Sequence, residues 1–115
     1  MSYIAPETVK VIRNKIKQAF PACKFSITRE HHSTVRVVLL ASALDLPESV
    51  NVNEYHTDRI ENVELRALVN KLLEIIESVD ARRYRETGDY GSQPNYYISI
   101  KVGEYGNPYK RKVDL

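Results

Sequence analysis

The sequence predicts an α+β domain in which two helices lie on one face of a small, mainly antiparallel sheet of three to four strands. Three observations predict it. Residues 58–79, DRIENVELRALVNKLLEIIESV, carry no Gly or Pro and repeat apolar residues at spacings of three and four. Residues 6–20 repeat that pattern more briefly. Between and after these runs stand short segments rich in β-branched and aromatic residues that alternate with a period of two. Two amphipathic helices each have one stripe to bury, and a sheet covered on one face is the economical partner for both. The expected order is α-β-β-(β)-α-β.

At 115 residues the chain is expected to form one domain, large enough to bury a core without disulfides or metal. Its 43% hydrophobic and 28% charged residues are ordinary for a globular protein. Cys23 is the single cysteine, which excludes an intramolecular disulfide and a cysteine-cluster zinc site and agrees with a reducing cytoplasm. No apolar run approaches about 18 residues, so neither a membrane span nor a secretory leader is expected. A net charge of +2 does not by itself point to nucleic acid.

The first helix, PETVKVIRNKIKQAF, starts on Pro6, whose missing N–H costs nothing there, and Glu7 complements the helix dipole. Val9, Ile12, Ile16, Ala19 and Phe20 form its apolar stripe, and Pro21 ends it. Lys10, Arg13 and Lys17 line the other side. They are either a solvated face or a surface for phosphates or acids.

Lys24–Glu30 alternates with Phe25 and Ile27 on one face, as a half-buried strand does. Thr34–Ser42 is apolar on both faces and reads as a central strand, paired with the first as an antiparallel hairpin across His31, His32 and Ser33. Pro47 interrupts regular structure, and VNVNEY permits a short third strand. Asp58 and Glu61 have the spacing of a helix start, which places the long helix over 58–79. A polar loop is expected at about 80–95, long enough to be mobile or functional. Tyr96, Ile98, Ile100 and Val102 then face one way on a last strand, with Tyr97, Ser99 and Lys101 on the other side. Gly103, Gly106 and Pro108 end it, and residues 107–115 form an extended or frayed tail.

Catalytic patterns are sparse. His31 and His32 are adjacent and point apart in an extended chain, and neither they nor His56 show the spacing of a metal site. No G-x-S-x-G turn presents a serine, no G-x-G-x-x-G or Walker loop is present, and Cys23 reads as a small core residue. No cofactor or metal is expected. The C-terminal third has the most recognition chemistry. Arg82, Arg83 and Arg85 surround Tyr84; Tyr90, Tyr97, Tyr105 and Tyr109 follow, with Lys110, Arg111 and Lys112 after them. Interleaved cations and aromatics suit either phosphates and bases or a protein partner, and they also suit a plain solvated surface. A double-stranded-RNA-binding domain shares the helix–strand–strand–strand–helix order. Its last helix starts with lysines, whereas this one starts Asp58, Arg59, Ile60, Glu61.

Ala19, Phe20, Pro21, Lys24, Phe25 and Ser26, together with Tyr96, Tyr97, Ser99 and Ile100, carry a family resemblance. The chain resembles the large polyvalent protein-associated domain family, number 29 of that series, found in phages, plasmids and other bacterial mobile elements. It departs from the family in having His31, His32 and Ser33 where a Gly-rich turn is usual, and in lacking a Trp at the end of the second strand. The resemblance implies an accessory protein, without catalytic residues, that helps an element establish itself in a bacterial host cytoplasm. Its expected partner is host defence machinery, a protein or ribonucleoprotein complex. The alternatives are a nucleic-acid-binding module, on the tyrosine-rich surface or on Lys10, Arg13 and Lys17, and a small hydrolase using the histidines.

Overall fold

The computed structural model describes residues 3–47, 49–52, 57–80, 84–86, 92–94, 96–104 and 106–111. Helix α1 spans Pro6–Ala19 with Pro at its first turn. Val9, Ile12 and Ile16 are its buried residues, whereas Ala19, expected on the same stripe, is exposed. Phe20 closes the helix and tilts against Phe25, with ring centroids 6.0 Å apart.

Strands β1 (Lys24–Glu30) and β2 (Thr34–Ser42) form the expected antiparallel hairpin. Strand β3 is short, Val50–Val52, as VNVNEY permits. Helix α2 spans Val63–Val79 and starts five residues later than the Asp58–Glu61 spacing suggests. Asn62 takes the cap, its side-chain oxygen accepting from Leu65 N at 3.0 Å. Thr57–Arg59 instead form a single 3-10 turn. Arg66 fixes that junction by donating from Nε and Nη2 to the Ile60 carbonyl, at 2.9 and 2.6 Å. The late start turns Val63 outward, 70% exposed, and the buried stripe of α2 is Leu65, Leu68, Val69, Leu72 and Ile76.

Beyond α2, β4 (Tyr84–Glu86) and β5 (Ser92–Pro94) pair antiparallel. The segment expected to be only loop therefore contains a small ladder, and Pro94 sits at its end where no N–H is required. Strand β6 (Tyr97–Val102) and the two-residue β7 (Lys110–Arg111) complete the order.

The main sheet runs β1-β2-β6-β3, with β7 also on β2. The outer pairs β1·β2 and β3·β6 are antiparallel, but the central pair β2·β6 is parallel, as is β2·β7. The sheet is thus mixed, with antiparallel outer pairs around a parallel centre, as the α+β class allows. After β2 the chain passes through β3 and α2 before β6, and a crossover of that length lets β6 return in the direction of β2. Gly103, at φ 72°, turns the chain out of β6 while its N–H still reaches Leu39 O at 2.9 Å.

Both helices bury their stripes against the same face. Ile27, Val35, Val37, Leu39, Ile98, Ile100 and Val102 form one cluster with the buried residues of α1 and α2. Each aliphatic side chain removed from water there contributes about 1.5–3 kcal/mol. Tyr96 closes the seam: it is fully buried, and its hydroxyl donates to the Asp80 carbonyl at the end of α2. The opposite face of the sheet carries Ser26, Thr28, Arg36, Val38, Tyr97, Ser99 and Lys101. There Arg36 meets Glu104 at 2.8 Å, both side chains mostly buried.

Candidate functional site

The β1–β2 hairpin turns through His31, His32 and Ser33, and both histidines lie in the left-handed region, His31 at φ 54° and His32 at φ 64°. Ser33 N donates to Glu30 O at 3.2 Å to close it. Positive φ at successive turn positions is most easily adopted by Asn and Gly, which lack the steric cost of a larger side chain. Two β-carbon-bearing residues there cost on the order of 1–3 kcal/mol each, and such strain clusters at sites of function.

The strained turn is held from both sides. Ile4 N donates to His32 O at 2.9 Å, and Tyr97 N donates to Ser33 O at 2.7 Å. Arg29 Nη2 stands 3.0 Å from His32 Nδ1. Since a guanidinium only donates, that ring nitrogen is the acceptor and the imidazole proton lies on Nε2. The same guanidinium lies 5.3 Å from the centroid of the Tyr3 ring, and its Nε is buried without a hydrogen-bond partner. His31 Nε2 lies 3.5 Å from Glu30 Oε1, with both side chains exposed. Tyr3 is 56% and Tyr97 37% exposed. At this end of the sheet Arg29, with Tyr3 against it, lies on the helix-covered face and Tyr97 on the opposite face, with the two exposed imidazoles at the turn between them.

The residues singled out from the sequence do not gather in one place. Tyr97 belongs to the hairpin end. Lys110 and Arg111 lie at the other end of β2, opposite Ala41 and Ser42, both exposed. About six residues of strand, roughly 20 Å, separate the two ends. Tyr109 is no surface residue: it is 4% exposed, with its hydroxyl 2.5 Å from Ser42 Oγ and donating to Leu44 O at 2.7 Å. Burial in an apolar cluster obliges a phenol to find such partners, which removes Tyr109 from the candidate binding set. Tyr84 and Arg85 lie on β4, and Arg82, Arg83, Tyr90, Tyr105 and Lys112 lie outside the described residues.

On α1, Lys10 and Lys17 are exposed, but Arg13 is half-buried and donates from Nε and Nη2 to Ile27 O, at 3.2 and 2.9 Å. Arg13 is a tie between helix and strand. His56 lies outside the described residues, and among those described no group of three His, Cys, Asp or Glu side chains converges as metal ligands would. Cys23 lines a mostly apolar depression of about 360 Å³ with Phe20, Ala43, Leu44 and Leu68, and desolvation pushes its thiol pKa up. A raised thiol pKa opposes thiolate chemistry.

Tyr3 and Arg29 do not stand out in the sequence as site residues. An aromatic ahead of the first helix carried no signal. Arg29 follows Phe25 and Ile27 on the buried face of β1, and a cation at that position of the alternation was the available clue.

The family described as large polyvalent protein associated domain 29 matches residues 3–108. No curated protein and no solved structure matches the chain. No helix among the described residues is long and apolar enough to cross a membrane.

Proposed function

Because the chain belongs to the large polyvalent protein associated domain 29 family, we propose that it is a binding protein that acts by stoichiometric association with a host protein. The membership associates it with phages or mobile elements, and the family is not a known catalytic one. On this reading the chain is an accessory or counter-defence factor in the bacterial cytoplasm, directed at host defence machinery.

The observation that carries the reading is the hairpin end. The turn through His31, His32 and Ser33 is tied to Ile4 and Tyr97 by main-chain hydrogen bonds, with Arg29 and Tyr3 on one side of it and Tyr97 on the other. Rigid aromatic and arginine side chains bind with little loss of side-chain entropy and are favoured as anchors of protein interfaces.

The test is a pull-down of tagged protein from bacterial lysate, with and without nuclease, at about 0.3 M salt, where loose phosphate contacts are screened. A discrete host protein is expected to survive both treatments and to be lost with Tyr97→Ala. The purified pair should then titrate at one-to-one stoichiometry. Recovery of nucleic acid alone, sensitive to nuclease, would overturn the reading and leave the nucleic-acid module in its place. Lys10 and Lys17 remain exposed for that module, whereas Arg13 is engaged. The hydrolase alternative depends on His31, His32 and His56, and retention of every function in the triple Ala variant would remove it.

A further inference from the structure

The far end of the sheet has a separate chemistry. Lys24 on β1 stands opposite Ala41 on β2, and Ala41 stands opposite Lys110 on β7. The register shifts between Lys24 and Phe25, because Phe25 pairs with Leu39 and Leu40 is left as the extra residue. Such a bulge re-aims neighbouring side chains. Here it sets two lysines in one row across three strands, with Cα atoms about 10 Å apart. Both line a single depression of about 120 Å³ with Leu40, Ala41, Asn107 and Pro108.

A strand of two residues has little hold of its own, yet Lys110 is pinned on both sides. Tyr109 before it is buried and bonded to Ser42 and Leu44; Arg111 after it donates from Nε to Ala43 O at 3.1 Å. Neither Lys24 nor Lys110 has an ion-pair partner among the described residues, and both are exposed. Glu104, which reaches toward this side through Asn107, is already committed. Its Oε2 accepts from Arg36 at 2.8 Å, and Oε1 lies 3.4 Å from Asn107 Nδ2. Among the described residues no carboxylate pairs with these two cations, so an anion placed between them would gain from both.

We propose that Lys24 and Lys110, held on either side of Ala41, seat a backbone phosphate of a single-stranded nucleic acid. Lysine ammonium groups at the end of long stems converge on a phosphate as point charges. Leu40 and Pro108 line the same depression and offer apolar surface to the face of an unpaired base, which a duplex keeps stacked inside. The site deepens the nucleic-acid alternative above by naming its ligand and its residues, and it stands apart from the hairpin end.

The test is fluorescence anisotropy with a labelled oligothymidylate of about 16 nucleotides, titrated between about 0.05 and 0.2 M salt. Lys24→Gln/Lys110→Gln is expected to weaken binding roughly tenfold at the middle of that range and to reduce the salt slope by about 0.7, one single-strand phosphate's worth. Lys15→Gln, on the exposed side of α1, should leave both unchanged. Circular dichroism checks that the variants keep their fold. An unaltered slope in the double variant overturns the proposal, as does a loss confined to Lys10→Gln/Lys17→Gln, which would move the contacts to α1. Equal displacement by inorganic phosphate at the same charge concentration also overturns it, because the seat would then be for a small anion only. Failure here leaves the protein-directed reading untouched, since that one is read from a nuclease-resistant complex lost with Tyr97→Ala.

Discussion

Arg13 on α1 grips the main-chain carbonyl of Ile27 on β1 with two hydrogen bonds, from Nε at 3.2 Å and Nη2 at 2.9 Å. β1 is an edge strand, and the Ile27 carbonyl is one of the groups its open side would offer to another chain. The forked donor satisfies that acceptor and ties the helix to the sheet margin.

Arg13→Ala should therefore destabilise the protein by about 1–3 kcal/mol, read as a lower urea midpoint at unchanged m. Arg13→Lys should recover only part of this, because an ammonium cannot reproduce the two-pronged geometry. The alanine variant should also self-associate more readily in sedimentation as the edge is uncovered. Lys10→Gln and Lys17→Gln, on the same helix but exposed, should change stability by no more than about 0.5 kcal/mol.

Replacing the histidine pair by the residues its backbone prefers separates stability from recognition. His31→Asn/His32→Gly suits two left-handed positions and should raise stability by about 1–2 kcal/mol, despite loss of the exposed contact between Arg29 and His32. If the strained imidazoles serve the hairpin surface, the same variant should lose partner affinity while melting higher. Loss of stability would show that the Arg29 contact outweighs the backbone strain.

Two tyrosines of one segment should behave oppositely. Tyr109→Phe removes the hydroxyl that meets Ser42 Oγ and Leu44 O in a buried site, and should cost about 1–3 kcal/mol in chemical denaturation. In a double-mutant cycle with Ser42→Ala the two effects should be strongly non-additive. Tyr97→Phe, at a position 37% exposed, should leave the denaturation midpoint nearly unchanged.

Much of the fold was legible because periodicity reports burial directly. Most of the stripes of α1 and α2, though not Ala19 or Val63, together with the two-faced β2 and the inward Tyr96, Ile98, Ile100 and Val102, follow from spacing alone. What spacing does not carry is direction between strands: the parallel β2·β6 pair follows from the crossover through α2, which no local pattern encodes. Competing caps were equally opaque. Asp58 and Asn62 both suit a helix start, and the Arg66–Ile60 contact decides between them only after folding. Asn62→Ala should cost about 1 kcal/mol and Asp58→Ala almost nothing, compared by thermal unfolding. At the candidate site, composition pointed to tyrosines and cations, but it could not divide them between the two ends of the sheet or show that Tyr109 is internal.

Cys23 supplies a pH-dependent test of the depression it lines. Burial among Phe20, Leu44 and Leu68 disfavours the thiolate, so the folded-state pKa lies above that of the unfolded chain. Below the ordinary thiol range, roughly pH 8.5, both states hold the proton and the group adds no pH dependence. Above it the unfolded chain releases the proton while the folded chain keeps it, so folding stability falls as pH rises through that window. The stability difference between the wild type and Cys23→Ala should therefore shift against the wild type between about pH 8 and pH 10, with lysine and tyrosine titrations common to both proteins cancelling. Alkylation by iodoacetamide should correspondingly be slower than for a free thiol at pH about 8 and should accelerate on unfolding in urea. Fast native-state alkylation, or a difference flat in pH, would place the thiol in water and not against the apolar wall.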